Sequence, residues 1–378
     1  MTPPRYDAIV LGVGGMGSAA LFELARRGRR VLGLEQFAPG HERGSSHGQT
    51  RVIRKAYYEH PDYVPLLRRA YERWYDLEQR CGRRLFVECG CLSIGRPDGE
   101  VVPGVRRAAD EHGLPVEPLS AAELRRRFPA FHIGDDMVAV LERDAGFLYV
   151  EACVCAHADE ARRLGADLRA DEAVVSWEAT AGGVVVSTSR DTYAADRLVV
   201  TAGAWAGRLL AGLGLPLTVL RKVLLWFGAS DPAALRRDVF PIYMAETPGG
   251  FYYGFPVIDG LGHKVARHDG GAAADPTALD RTATAADAED CRAFLCAHLP
   301  AATGPLRDGK VCMYTVTPDH HFVIDRHPLH PQVVVAAGFS GHGFKFASVV
   351  GEVLADLAEN GRSELPIGRF RIDRFGQG

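Results

Sequence analysis

The sequence predicts an α/β fold: a parallel βαβ core interrupted by an α+β domain on a large, mostly antiparallel sheet. Three observations predict it. An apolar run, a glycine-rich turn and a segment of helical spacing succeed one another between Tyr6 and Gly28. The same succession returns between Val333 and Gly361. Between the two, from Pro216 to Cys312, residues alternate with the period of strands.

The first unit is the most informative. Tyr6 to Leu11 suits a buried parallel strand. Gly12, Gly14 and Gly17 follow as G-x-G-x-x-G, and Ser18 to Arg27 continues as a helix stopped by Gly28. A second apolar run, Val31 to Leu34, ends on Glu35. In a Rossmann-like unit Gly12 permits the tight turn, Gly14 admits a pyrophosphate, and Gly17 lets helix and strand pack closely. The helix N-terminus offers N–H groups to phosphate, and Glu35 is placed to accept from a ribose hydroxyl. A dinucleotide is therefore expected, and this motif alone leaves NAD and FAD both open.

A loop rich in Gly, Ser and His runs from Gln36 to Gln49, and Arg51 and Arg54 follow it three apart. Pro61 to Arg80 reads as an amphipathic helix, and residues 84–95 as strands with turns. Ser120 and Glu123 form a capping box for a short helix that Pro129 ends. Val150 to Leu164 is helical to Gly165. Three strands follow, Ala173–Glu178, Val184–Ser189 and Arg197–Thr201, and Thr201 to Trp205 leads into another helix. An antiparallel three-strand insert on a parallel core suits the two-dinucleotide type of FAD-binding fold better than an NAD dehydrogenase.

Strands are expected at Val219–Gly228, Gly250–Pro256 and His263–His268, with a helix at Ala285–His298. Val333–Ala337 is then a buried strand, Gly338–Gly343 a turn, and Phe344–Asn360 a helix. The expected division is a discontinuous nucleotide domain of residues 1–80, 141–215 and 313–378, with a substrate domain of 81–140 and 216–312.

Composition excludes several functions. Across 378 residues, 44 Lys and Arg stand against 47 Asp and Glu, so no electrostatic case for nucleic acid or an anionic membrane arises. No apolar stretch is long enough to span a bilayer; Leu198 to Leu220 comes nearest and is broken by Arg208 and several glycines. The fold begins at about residue six, so no leader is expected and the location is expected to be cytoplasmic. Eight cysteines are no disulfide framework, and the pairs Cys89/Cys91 and Cys153/Cys155 complete no zinc set.

Candidate chemistry gathers late in the chain. The turn Ser340 to Lys345 aims backbone N–H groups and a helix dipole at one point, where a ring that becomes anionic on reduction would be stabilised. Lys345 is odd there, since a cation is disfavoured at a helix N-terminus, and an anionic ligand would compensate it. On composition alone Cys312 is a buried thiol. Tyr252, Tyr253, Lys264 and His268 lie on adjacent expected strands and are placed either to face one cavity or to pack a sheet.

Three stretches carry a resemblance: Gly44-Ser-Ser-His-Gly-Gln-Thr-Arg-Val-Ile-Arg54, Lys310-Val-Cys-Met-Tyr-Thr and Phe339-Ser-Gly-His-Gly-Phe-Lys-Phe-Ala347. In order and spacing, from Tyr6 to about Phe375, the chain resembles the monomeric sarcosine oxidase and N-methyltryptophan oxidase family, flavoproteins of D-amino-acid-oxidase-like architecture. The resemblance implies FAD bound covalently through Cys312, with Arg51 and His47 lining the ring. It implies Ser45, Thr50, Val174, Gly341 and Gly343 around the cofactor, and Arg54 with Lys345 holding a substrate carboxylate. Tyr253, His268 and Tyr314 would wall the pocket, and Lys264 would promote reduction of dioxygen. The implied reaction oxidises the N-methyl C–N bond of a secondary amino acid, giving formaldehyde, the primary amino acid and hydrogen peroxide. A monomer is expected.

Two departures from the family pattern are Ser46 and Gln49, expected to flank the flavin. Leu220 to Phe227 and Arg267 to Gly271 resemble the N-methyltryptophan branch more than the sarcosine branch. Other readings are oxidation of cyclic or other N-alkyl amino acids, a flavin dehydrogenase with another acceptor, an NAD dehydrogenase, and a nucleotide-binding protein without turnover. The last two leave Cys312 or the convergence of Arg54, Lys345, Tyr253 and His268 unused.

Overall fold

The computed structural model describes residues 5–376. An eight-stranded sheet is built around the parallel strands Arg5–Leu11, Val31–Leu34 and Thr192–Val200. Ile9 lies beside Leu32 on one side and Leu198 on the other. Val333–Ala337 joins the far edge of Thr192–Val200 in parallel, placing Val334 beside Val199. These strands are apolar throughout because helices cover the sheet. Helices Gly15–Arg26, Val64–Cys81, Val150–Arg163 and Ala347–Asn360 bury their apolar sides in one core with Val10, Trp74 and Val350.

The second sheet has nine strands and is mostly antiparallel. Its central strands Ile242–Thr247, Gly250–Phe255 and His263–Arg267 show the period of two in use. Tyr252 stacks on Phe294 of helix Ala285–His298, with ring centroids 4.4 Å apart. Phe251, Tyr253 and Phe255 project to the other face. A three-stranded sheet of Thr50–Ile53, Gly146–Tyr149 and Phe86–Glu88 joins the two halves. Ile53, Leu148 and Phe86 enter the nucleotide-side core, while Phe147 packs with Phe255 and Trp226 in the other.

Several expectations need correction. The strand that carries Cys312 runs Leu306–Val316 and pairs with Thr218–Phe227, so a boundary at residue 312 falls inside a strand. A boundary at 140 likewise cuts Val138–Glu142. Neither crossing carries a Gly or Pro that would mark it in sequence. Helix Val101–His112 and strand Ile242–Thr247 were not anticipated. Pro103 hid the helix, yet in the first turn proline costs no hydrogen bond. The three-strand insert is not separate, because Thr192–Val200 belongs both to it and to the parallel core. The segment after Thr201 forms only a 3-10 turn, Gly203–Trp205, and one helical turn, Ala206–Leu209. Pro61–Tyr63 and Phe344–Phe346 are also 3-10 turns that lead into longer helices. The Ser120–Glu123 capping box is present. Among the described residues no helix is long and apolar enough to cross a membrane.

Candidate active site

One long cavity runs from the first glycine turn to the last, and its two ends differ in chemistry. At the N-terminal end Gly12 has φ of 85°, and a Cβ there would lie 2.7 Å from the Thr201 carbonyl oxygen, so both conformation and space demand glycine. A Cβ on Gly17 would lie 1.8 Å from the Gly12 carbonyl oxygen, which is the close helix–strand approach the motif requires. Gly14 faces open space instead, leaving room for a pyrophosphate beside the helix N-terminus. Glu35 is held in place by the N–H groups of Val13 (2.8 Å) and Phe37 (3.0 Å), and it lines the cavity with Val174. Glu172, Trp205 and Arg208 line the same end. Nothing in their local sequence marked them, because the fold brings them there across the sheet.

At the middle of the cavity stand Ser45, Ser46 and Arg51. Arg51 donates to the carbonyl oxygens of Thr50 and Ser45, each at 2.9 Å, and to Cys312 Sγ at 3.4 Å. Cys312 itself is buried behind Arg51 and does not line the cavity. His47, Thr50, Lys264 and Gly17 also stand behind the wall. His47 is buried with neither ring nitrogen partnered, and burial together with Arg51 lowers its pKa to about 3. A neutral orphaned imidazole among cations is a polar group awaiting a partner. Lys264 donates to the Gly48 carbonyl, to Thr50 O at 2.9 Å and to Thr50 Oγ1 at 3.1 Å. Burial holds its pKa well below the usual lysine range. Of the two departures, Ser46 lines the cavity and accepts from the Gly15 N–H at 3.2 Å. Gln49 turns away, toward Asp259 and Trp226.

The far end is a buried charged pocket. Arg54 Nη2 donates to both carboxylate oxygens of Glu59, at 2.7 and 2.9 Å, and Nη1 to the Ala56 carbonyl oxygen at 2.9 Å. Lys345 Nζ donates to the His342 carbonyl oxygen at 2.7 Å and to Tyr57 OH at 3.5 Å. Burial, then the like charge of Arg54, lowers the Lys345 pKa to about 7. The odd lysine thus has internal partners, and Glu59 is the anion of the pair that sequence reasoning missed. Arg54 and nearby cations lower Glu59 to about 2 despite its burial.

Aromatic groups complete this end. Tyr253 OH and Tyr314 OH lie 3.5 Å apart, and Tyr314 OH is 3.5 Å from His268 Nδ1. Burial keeps His268 neutral by lowering its pKa to about 4. Phe251 stands edge-on to His268, with Tyr58 edge-on to Phe251. Gly341 (φ 81°) has no room for a Cβ, which would meet the Tyr314 ring at 2.3 Å, and Gly343 lines the same turn. The arrangement presents two cations, a neutral imidazole and two phenols to one small polar molecule. The open space at Gly14 and the Glu35 carboxylate lining the same end leave room for a dinucleotide along the cavity.

Comparison with known proteins gives the same direction. A family model described as DAO, FAD dependent oxidoreductase, matches residues 7–357. The chain is 46% identical over 372 residues to a monomeric sarcosine oxidase of Streptomyces avermitilis, covering 97% of each protein. It is 37% identical over 374 residues to an N-methyl-L-tryptophan oxidase of Yersinia pestis, covering 98% of this chain and 99% of that one. Among solved structures, NikD, an unusual amino acid oxidase essential for nikkomycin biosynthesis, superposes with a TM-score of 0.85 at 28% identity over 97% of each chain.

Proposed function

This chain belongs to the DAO family of FAD dependent oxidoreductases, and from that premise we propose that it is an oxidase of N-methyl amino acids with dioxygen as acceptor. The products are formaldehyde, the primary amino acid and hydrogen peroxide. FAD, when bound, would supply the two-electron acceptor for the N-methyl carbon and a route for those electrons to dioxygen.

The observation that carries this reading is that Arg54 and Lys345, both buried, line the same cavity as the first glycine turn. Two cations bind and orient a carboxylate, which places the amine of an α-amino acid at a defined distance from them. The substrate amine enters neutral, its proton left to solvent, because the surrounding cations disfavour an ammonium. Neutral His268, its pKa lowered to about 4, adds no charge and offers a hydrogen bond beside the Tyr253 and Tyr314 hydroxyls. On the nucleotide side, Gly12, Gly14 and Gly17 shape the phosphate turn and Glu35 takes a ribose. Ser45, Thr50, Val174, Gly341 and Gly343 frame the remainder. Cys312 is the attachment point for the ring, and the Arg51 guanidinium stands 3.4 Å from its sulfur, between it and the cavity. Lys264 places a preorganised N–H donor behind the ring, where reduced oxygen would be stabilised and would in turn favour its charged form.

The test is peroxide formation from sarcosine, N-methyl-L-tryptophan and pipecolate by the purified holoprotein. Peroxide with formaldehyde from either N-methyl substrate is expected. Dye reduction without peroxide would replace the oxidase with a dehydrogenase, and turnover of pipecolate alone would move the substrate to cyclic amino acids.

A further inference from the structure

The two segments that resemble the N-methyltryptophan branch, Leu220–Phe227 and Arg267–Gly271, meet at one side chain. Lys222 is 6% exposed, and its Nζ donates to three successive carbonyl oxygens, those of His268 (3.0 Å), Asp269 (2.8 Å) and Gly270 (3.2 Å). Burial lowers its pKa to about 8, with the nearby Asp269 carboxylate opposing, so it is charged at neutral pH and all three ammonium protons are used. The ammonium also lies 5.2 Å from the centre of the Tyr314 ring.

What it grips is the end of the substrate wall. Strand His263–Arg267 stops just before this loop, where the His268 N–H still bonds to the Phe251 carbonyl oxygen at 2.7 Å. Asp269 accepts from the Phe251 N–H at 3.0 Å and from Arg267 Nε at 2.9 Å. Gly270 and Gly271 follow with φ of 63° and 114°, conformations that a side chain would resist and that leave the loop little stiffness of its own. Across the sheet, Lys222 pairs directly with Cys312, and Leu220 with Tyr314. One lysine therefore ties the strand pair bearing the attachment cysteine to the loop bearing His268, which is itself hydrogen-bonded to Phe251 on the neighbouring strand.

We propose that Lys222 is a positioning residue that sets the distance between the cofactor-bearing strand and the His268–Phe251 wall, and so determines affinity for the substrate. The inference rests on the reading that this wall contacts the substrate amine and its side chain. A buried charge spent on three carbonyls is a costly way to hold a surface loop, and its cost is reasonable where the loop's position matters.

The test compares Lys222→Met and Lys222→Gln holoenzymes with the wild type. Lys222→Met is expected to raise KM for the N-methyl substrate by about tenfold while kcat changes less than about threefold, since misplacement of a binding wall acts chiefly on orientation. Lys222→Gln, with two amide protons, is expected to fall between. Deuterium uptake by the amides of residues 268–271 should quicken in the same order, at unchanged flavin content. Wild-type KM and uptake in Lys222→Met, or a loss confined to kcat, would overturn the proposal. If Lys222→Met does not fold, Lys222→Gln decides it: a KM raised about threefold with faster uptake supports it, and wild-type values reject it. Wild-type protein that turns over no N-methyl amino acid sinks the functional reading instead, and the uptake measurement still judges the lysine.

Discussion

Glu59 occupies the guanidinium of Arg54, through both carboxylate oxygens, at the same end of the cavity where a substrate carboxylate is proposed to bind. The protein therefore carries an internal competitor for its own anion site. Glu59→Gln removes the like charge and should tighten binding of acetate about three- to tenfold, followed by perturbation of flavin absorbance. It should also cost about 3–5 kcal/mol of stability, because Arg54 is left buried without its counter-ion. Weaker acetate binding would show that Glu59 orients Arg54 rather than competing for it.

Lys345 titrates in the working range. Its pKa is lowered to about 7, and an anion beside it favours the charged form. Acetate affinity should therefore be highest below pH 7 and fall as pH rises through it, by up to about tenfold per unit. Glu142, raised to about 7 by burial, ionises in the same window, close to the backbone of Lys55 and Ala56. Lys345→Met separates the two: it should flatten the profile and weaken acetate binding by about 2 kcal/mol, roughly the worth of one charged hydrogen bond. A profile that keeps its slope in the variant would assign the titration to Glu142.

Cys312 can be tested without activity. Acid precipitation of the holoprotein should give a yellow pellet, and Cys312→Ala a colourless pellet under a yellow supernatant. A colourless wild-type pellet would remove the covalent link while leaving the FAD fold intact.

Lys264 sits behind the ring region with the Phe255 ring 4.7 Å from its ammonium. Lys264→Met should slow reoxidation by dioxygen by about 10²-fold or more, the scale of losing one preorganised donor, while reduction by substrate changes far less. Stopped-flow absorbance of the two half-reactions checks it. Equal slowing of both would make the lysine a structural anchor for Gly48 and Thr50.

The first glycine turn was legible because part of its requirement is local: Gly12 needs its φ, and Gly17 its clearance from the Gly12 carbonyl five residues earlier. The strands bearing Tyr253 and Lys264 were legible from their alternation, although the second ends at Arg267, one residue short of His268. Glu59 was not, since nothing near it in sequence shows that Arg54 folds back on it. Lys222 looked like any strand lysine, and only the cross-sheet meeting with residues 268–270 gives it a task. Helix Val101–His112 was hidden by a proline whose position in the first turn makes it harmless. The end of the substrate sheet was misplaced because strand Leu306–Val316 crosses the expected border without a break.

Strand Val333–Ala337 sits beside Thr192–Val200, and the helix after it packs on the first helix of the chain. The consequence concerns biosynthesis. Gly12 emerges from the ribosome long before Gly341 and Lys345, yet all three border the same cavity. A nascent chain shorter than about residue 345 lacks part of the wall and should not retain flavin, and closing such distant contacts makes late folding steps slow. Cofactor capture then waits for synthesis of nearly the whole chain, and nascent chains released before residue 345 should be recovered colourless.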